Sequence, residues 1–233
     1  MAGRDIFIAT PAYGGMTTVA YTHSLVTTVV NLNASGITWN AFFIENESLI
    51  QRARNKLATE ALDKGHRKLL FIDADIQWSW SDVKKLYDAD LPVVAGTYPK
   101  KTLPIELNFN PLPTDLGKYF DDKPIRTKEH LQKWCESDSV VNGIARVMHV
   151  PTGFMMIDIE VLRKLKDKVP SYTNQDGSDL KRCYDFFPVR VKWDILESED
   201  WAFCSLCQDN GIQVYFHTEV VLDHIGTYHF KGK

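Results

Sequence analysis

Two carboxylates, Asp73 and Asp75, close the run Leu69-Leu70-Phe71-Ile72-Asp73-Ala74-Asp75. Consecutive apolar residues are expected to drive a strand into a core and leave the acids at its end. A strand repeats every second residue, so the spacing predicts both side chains on one side. Like charges this close repel unless a cation lies between them or one is protonated. A hard divalent ion such as Mg²⁺ or Mn²⁺ takes oxygen ligands of this kind. The alternative is a pair of solvated turn residues, since Asp is common in turns. A second acidic pair, Glu199 and Asp200, follows Ser198 at the start of an expected helix. Acids there also stabilise the helix dipole with no further purpose. Cys204 and Cys207 form a C-x-x-C, but no second C-x-x-C or H-x-H completes a zinc site, and their surroundings read as a helix. Buried small apolar side chains are the expectation for both.

The elements that must position these groups follow from periodicity. Ile6–Thr10 is a β-rich run ended by Pro11 and the pair Gly14-Gly15. Residues 17–34 read as a helix ended by Gly36, and Thr38–Ile44 as a second strand. Ser48–Lys64 is helical: Leu49, Ala53, Leu57 and Ala61 line one face, and Gly65 is the expected stop. Lys68–Ile72 is a third strand, Ser79-x-x-Asp82 reads as a cap for a helix through Leu86, and Val93–Gly96 is a fourth strand. Strand and helix alternate, which predicts an α/β fold: a mostly parallel central sheet with helices on both faces and right-handed crossovers. Ligands in such sheets bind beyond the carboxyl ends of the strands. Pro11–Gly15, Glu45–Glu47 and Asp73–Asp75 are therefore the candidate segments.

Residues 99–139 change character, carrying five of the ten prolines and many charges. Strand pieces are expected at Ile105–Phe109 and a short helix at Thr127–Cys135. Val140–Val150 returns to strand, followed by Pro151-Thr152-Gly153 and a helix from Ile159 to Lys168. Residues 170–183 read as a polar, mobile loop. Ser198 caps a last helix ended by Gly211, and strands Ile212–Phe216 and Val220–Leu222 precede a tail with His224 and His229.

Composition narrows the function. The 27 basic and 30 acidic side chains give a net charge of −3 and a pI near 6.2, without the basic surplus of a nucleic-acid binder. An anionic ligand would need a local positive site or a metal. No apolar run reaches the roughly 20 residues that span a bilayer, so no membrane span is expected. The start MAGRDIFIAT has no basic flank followed by an apolar segment, so no signal peptide is expected. Four cysteines in 233 residues are no disulfide framework and point to a reducing compartment, the cytoplasm.

In order along the chain, Thr10-Pro11-Ala12-Tyr13, Ala53-Arg54-Asn55, Asp73-Ala74-Asp75, Thr152-Gly153-Phe154-Met155-Met156, Glu199-Asp200 and Asp223-His224 resemble the nucleotide-sugar glycosyltransferases of the GT-A fold. The pattern looks most like the compact glycosyltransferases encoded by large DNA viruses and phages, which would place the chain in a host cytoplasm. Similarity to the large inverting family 2 is weaker. The resemblance spans nearly the whole chain; residues 99–139 and 170–192 match nothing in it, and acceptor binding would vary there.

The resemblance implies one GT-A domain, with residues 1–98 as the nucleotide-sugar-binding half and 99–233 as the acceptor-binding half. It implies a metal-dependent transfer from a nucleoside-diphosphate sugar, a UDP-sugar first, to a glycan or other hydroxyl acceptor. It places Tyr13 against the base, with Thr10 and Pro11 shaping that edge. It puts Glu45 and Asn46 near the base or ribose, although family 2 prefers Asp there. Arg54 would brace the Asp73-Ala74-Asp75 loop or the diphosphate, with Arg52 competing for that role. Asp73 would contact ribose or a metal-bound water, Asp75 would ligate the metal, and His224 would be a further ligand. Imidazole suits Mn²⁺ better than Mg²⁺, so Mn²⁺ comes first. Such a cation stabilises charge on the departing diphosphate, and Lys100, Lys101, Lys231 or Lys233 could assist. Asp200, then Glu199, would be the acceptor's base in an inverting reaction. Trp78, Trp193 and Trp201 are candidates for stacking on sugar faces, with core packing as the alternative.

Three other readings compete. In phosphohydrolases of the haloacid-dehalogenase type an Asp-x-Asp normally follows the first strand; here it follows the third. A sugar nucleotidyltransferase would want a Gly-rich basic first loop, and Pro11-Ala12-Tyr13-Gly14-Gly15 lacks the basic residue. A non-catalytic nucleotide-sugar-binding module is the third. A dinucleotide-binding dehydrogenase is disfavoured because no G-x-G-x-x-G follows the first strand.

Overall fold

The computed structural model of the chain describes residues 4–121, 123, 125–176 and 179–226. The first part alternates as expected: β1 (Ile6–Ala12), a 3-10 turn (Tyr13–Gly15), α1 (Val19–Ala34), β2 (Trp39–Glu45), α2 (Ile50–Asp63), β3 (Lys68–Ile72), β4 (Ile76–Gln77), α3 (Trp80–Ala89) and β5 (Val93–Thr97). The remainder comprises β6 (Asn110–Pro111), α4 (Pro113–Phe120), α5 (Lys128–Cys135), β7 (Val140–Val141), β8 (Ile144–His149), β9 (Phe154–Asp158) and α6 (Ile159–Leu165). It closes with β10 (Ser171–Asp176), β11 (Asp179–Tyr184), β12 (Arg190–Lys192), β13 (Ile195–Glu197), α7 (Glu199–Asp209), β14 (Val214–Val221) and β15 (Asp223–His224).

The central sheet runs β2-β1-β3-β9-β5-β14-β8-β6, with β7 on β8. The β1–β2, β1–β3 and β5–β14 pairs are parallel, and β9 lies antiparallel between β3 and β5. Strands β2, β1, β3, β5 and β14 therefore point one way, giving a mostly parallel core. Strands from residues 1–98 and from residues 99–226 interleave in this one sheet.

Period two explains why these strands read as continuous apolar runs. Ile6 and Ile8 of β1, Leu70 and Ile72 of β3, Val94 of β5, and Phe154 and Met156 of β9 face Tyr21 and Leu32 of α1 and Val83 and Leu86 of α3. The alternate residues, among them Phe7, Ala9, Leu69, Phe71, Met155 and Ile157, face Leu57, Ala58 and Ala61 of α2 and Phe203, Cys204 and Cys207 of α7. Both faces are covered, so polar residues are few and partnered, as Lys68 is by Asp90 (2.6 Å). The two cysteines are buried, as expected, and burial pushes the Cys204 thiol up to about 12.

Several local expectations need correction. Residues 105–109 form no strand beyond a bridge between Pro99 and Leu107; the strand is Asn110–Pro111, at the sheet edge where proline is tolerated. Val140–Val150 is two paired strands, because Asn142 and Gly143 (φ 52° and 74°) make the tight turn that an Asn-Gly pair favours. Within the polar stretch expected as a loop, Ser171–Asp176 and Asp179–Tyr184 pair as the antiparallel strands β10 and β11. Phe154–Asp158, read only as part of a motif, is a central strand. The two strands expected at 212–222 are one, β14, with a register shift between Phe216 and Val221. Helix α4, with Pro113 in its first turn, was not expected, although Leu112, Leu116, Tyr119 and Phe120 lie at helical spacing.

Candidate active site

The turn after β3 organises the site. Thr18 caps α1 by accepting from the Tyr21 N–H (3.0 Å), and its own N–H donates to the Ala74 carbonyl (3.0 Å). The Ile76 N–H donates to the Asp73 carbonyl (3.1 Å), closing a turn over residues 73–76. The strand thus stops at Ile72, and the expected period-two alignment of Asp73 and Asp75 does not hold. Both carboxylates line one cleft of about 530 Å³ beyond the carboxyl ends of β1 and β3. Pro11, Tyr13, Met16 and Ile50 give it an apolar side; His224 completes the polar one. Their partners differ.

Asp73 faces inward. Arg54 Nη2 lies 3.3 Å from Asp73 Oδ1, and Arg54 Nε lies 3.3 Å from Glu199 Oε1. The guanidinium is buried, 5.7 Å from the Phe71 ring centre. Burial opposes its charge, but Asp73 and then Glu199 outweigh that and hold its pKa above the usual value. Burial pushes the Glu199 carboxyl up, with Arg54 opposing. The Gly153 N–H donates to Tyr98 Oη (3.1 Å), and its carbonyl accepts from the Asp73 N–H (3.0 Å). A Cβ at Gly153 would sit 2.5 Å from Asp73 Oδ2 and collide with the Tyr98 hydroxyl. Only glycine admits both groups. Arg54 Nε and Nη1 and Asp73 Oδ1 are buried without a hydrogen-bond partner among the described residues. The pair is hydrogen-bonded through other atoms: Arg54 Nη2 donates to Asp73 Oδ2 (3.4 Å).

Asp75 faces outward. Pairing of β4 with β15 sets His224 opposite Ile76, and the Ile225 N–H donates to the Asp75 carbonyl (2.8 Å). His224 Nδ1 lies 2.8 Å from the Pro99 carbonyl oxygen, and its ring meets Tyr98 edge-on at 5.0 Å. A carbonyl only accepts, so Nδ1 carries the proton. In the neutral ring Nε2 then presents a lone pair to Asp75 Oδ1, 3.5 Å away. Two acceptors facing each other invite a cation, and a backbone carbonyl on the other ring nitrogen is how metal-binding histidines are commonly oriented. Lys101 Nζ occupies the other Asp75 oxygen at 2.5 Å. Burial raises the Asp75 pKa, but His224, in the form whose Nε2 is also protonated and donates to Asp75, and Lys101 outweigh it and hold the carboxyl at about 2. Asp75 and His224 fit a divalent ion as a two-residue pair. Among the described residues no group of three or more His, Cys, Asp or Glu is placed to hold one.

The other candidates are distributed as follows. Thr10 is buried and shares a 2.5 Å hydrogen bond with the Tyr21 hydroxyl, which burial pushes up to about 12, so Thr10 stands behind the cleft wall. Tyr13 is 74% exposed on the cleft rim. Glu45 and Asn46 are exposed at the end of β2, outside the cleft lining, with Asn46 in the left-handed region (φ 56°). Arg52 is taken by Glu47 in a surface ion pair, which leaves the bracing position to Arg54. Asp200 is half-buried and accepts from the Trp201 N–H (2.8 Å) and the Ser198 hydroxyl. Trp78 belongs to the core, where its indole N–H donates to Thr28 (2.8 Å). His229, Lys231 and Lys233 lie outside the described residues. Sequence reasoning missed Tyr98, the Pro99 carbonyl, Met16 and Ile50; for Tyr98 and Pro99 the signal was their place just past the end of β5.

No family model matches the chain, and no curated protein matches it. Among solved structures the chain is similar to the crystal structure of GalNAc-T7 with UDP, GalNAc and Mn²⁺, with a TM-score of 0.54 and 9% identity. The fold is of the GT-A type. The match covers 99% of this chain and 45% of that one, so the chain spans less than half of the length of this neighbour. At this identity the likeness is one of fold. No helix among the described residues is long and apolar enough to cross a membrane.

Proposed function

We propose that the chain is a glycosyltransferase that moves a sugar from a nucleoside-diphosphate sugar to a hydroxyl of a glycan acceptor. The observation that carries this reading is the Asp75–His224 pair, two facing acceptors in a cleft beyond the strand ends of a GT-A type sheet. Asp75 and His224 would hold a divalent ion, whose chemistry is to stabilise negative charge on the departing diphosphate. The UDP and Mn²⁺ of the GalNAc-T7 structure make these the first pair to try. The ordered motifs of the sequence support placing the chain with the compact viral and phage transferases.

The chain's own residues divide the work. Tyr13 and Pro11 offer a flat apolar wall to the base. Arg54 holds Asp73 against the interior, which fixes the turn that presents Asp75. In an inverting transfer the acceptor oxygen bonds to the anomeric carbon as the bond to the phosphate oxygen breaks. The electron pair leaves with the diphosphate, and the acceptor's proton passes to a carboxylate. Asp200 suits that role better than Glu199, because Glu199 is committed to Arg54 while Asp200 is half-exposed with only local partners.

UDP is expected to raise the melting temperature with Mn²⁺ present and not in EDTA, and Asp75→Asn to remove the shift. No shift with any nucleoside diphosphate, with or without metal, ends the reading. The Lys101–Asp75 ion pair favours a second version, in which the ammonium takes the cation's place at the diphosphate. That version predicts a UDP shift that survives EDTA and is lost in Lys101→Met.

A further inference from the structure

A second pocket, of about 250 Å³, lies between the β12–β13 hairpin and α7. Its floor is a pair of rings: His149 and Trp201 stack with centroids 4.5 Å apart and planes within 6°. Burial pushes the His149 pKa down, so the imidazole is a neutral flat surface. The outer wall is the hairpin tip, where Lys192 pairs with Ile195 across a two-residue turn, Trp193-Asp194. Both turn residues have positive φ, 51° and 62°. Such turns favour Asn-Gly, and a bulky residue there is strained. The strained residue is a tryptophan with 85% of its surface exposed. Lys192 Nζ lies 4.8 Å from the centre of its ring and 2.7 Å from Asp209, so the indole is steadied from one side. Strain held in place against an exposed aromatic is characteristic of ligand clamps. Polar groups also line the pocket: Glu197, which accepts from Ser205 and Arg190, Gln208, which donates to the Met148 carbonyl, and Asp209, which accepts from Lys192.

Flat aromatic faces with hydroxyl-bonding groups at their edges match the chemistry of a sugar ring. C–H groups on one face meet the negative π surface, and the equatorial hydroxyls meet the polar rim. Trp201 directly follows Asp200. Glu199 pairs with Arg54 beside the first cleft (3.3 Å), and Trp201, two residues on, lines this pocket. The first turn of α7 thus joins the two. We propose that this pocket is the acceptor subsite and that it takes a saccharide ring, laid on the face of Trp201 that His149 leaves uncovered, with Trp193 closing over it. The assignment of the sugar as acceptor rests on the glycosyltransferase reading; the binding itself does not.

The test is titration of ¹⁵N-labelled protein with methyl glycosides of the common hexoses and N-acetylhexosamines and with their short oligomers, following indole N–H signals. At least one saccharide should move Trp193 and Trp201 saturably and leave the core residues Trp78 and Trp134 in place. Trp193→Ala, at an exposed turn, should keep the fold and the UDP shift while weakening that saccharide by about tenfold or more. Trp201→Phe, which keeps a flat ring, should weaken it less. No saccharide response overturns the proposal even if UDP binds; a response to an alkyl glycoside's tail alone, with free sugars silent, overturns it too. Saccharide binding without any nucleotide binding would keep the subsite and remove the transferase.

Discussion

The inner and outer sides of the turn at residues 73–75 each hold one carboxylate, and they are built differently. On the inner side Asp73 meets a buried guanidinium that also holds Glu199, with Tyr98 and Gly153 packed against it. On the outer side Asp75 is about a third exposed and meets a lysine and a histidine lone pair. Burial of Arg54 makes the inner charges interdependent, since removing the guanidinium leaves Asp73 and Glu199 uncompensated where little water reaches. Exposure makes the outer cation exchangeable, because a surface ion pair contributes little. A chemically equivalent residue two positions away thus serves as a rigid anchor in one case and as a site for trading partners in the other.

The sharpest way to break this contrast is Arg54→Met. It should leave Asp73 and Glu199 facing each other and cost about 3–5 kcal/mol in urea unfolding; a loss like that of a surface variant would make the inner side no anchor. Next comes Gly153→Ala. Its methyl group needs the space of Asp73 Oδ2 and the Tyr98 hydroxyl, and overpacking of this kind costs about 1–3 kcal/mol. Tyr98→Phe in the same chain should recover part of that loss.

Asp75→Asn should change stability by less than about 1 kcal/mol at neutral pH while abolishing the Mn²⁺-dependent UDP shift. Its folded pKa, about 2, lies below the ordinary 3.8. The stabilisation is therefore present above pH 3.8 and fades as pH falls through about 2, where melting curves of variant and wild type should converge. The smallest effect belongs to Glu199, whose folded pKa is raised above 4.5 mainly by burial. Its contribution is full below pH 4.5 and lost as pH rises through the folded value. In Glu199→Gln that downward slope of melting temperature should disappear; an unchanged slope would remove Glu199 from the buried network.

Much of the fold was legible. The alternation from Ile6 to Gly96 marked each strand and helix except the two-residue β4 to within a few residues, because a sheet covered on both faces is apolar at most positions. The Ser79–Asp82 capping box is present as read. The latter half was harder. Phe154–Asp158 is antiparallel in the middle of the sheet, and no local pattern distinguishes such a strand from a parallel neighbour. The β10–β11 pair is polar and short, so its composition resembled a loop.

At the site, residue type and strand-end position marked Asp73 and Asp75, whereas Arg54 and the α7 acids joined them only through the resemblance to the GT-A glycosyltransferases. The sequence by itself determined where charge would gather: at the carboxyl edge of a parallel sheet, where strands stop and backbone groups are free. Tertiary structure decided what each charge does. It turned Asp73 inward by ending β3 one residue before it, chose Arg54 over Arg52 by burying one and exposing the other, and brought His224 within 3.5 Å of Asp75 by pairing it with Ile76 across β4 and β15. Burial and distance set the partner of an ion, and both belong to residues far apart along the chain.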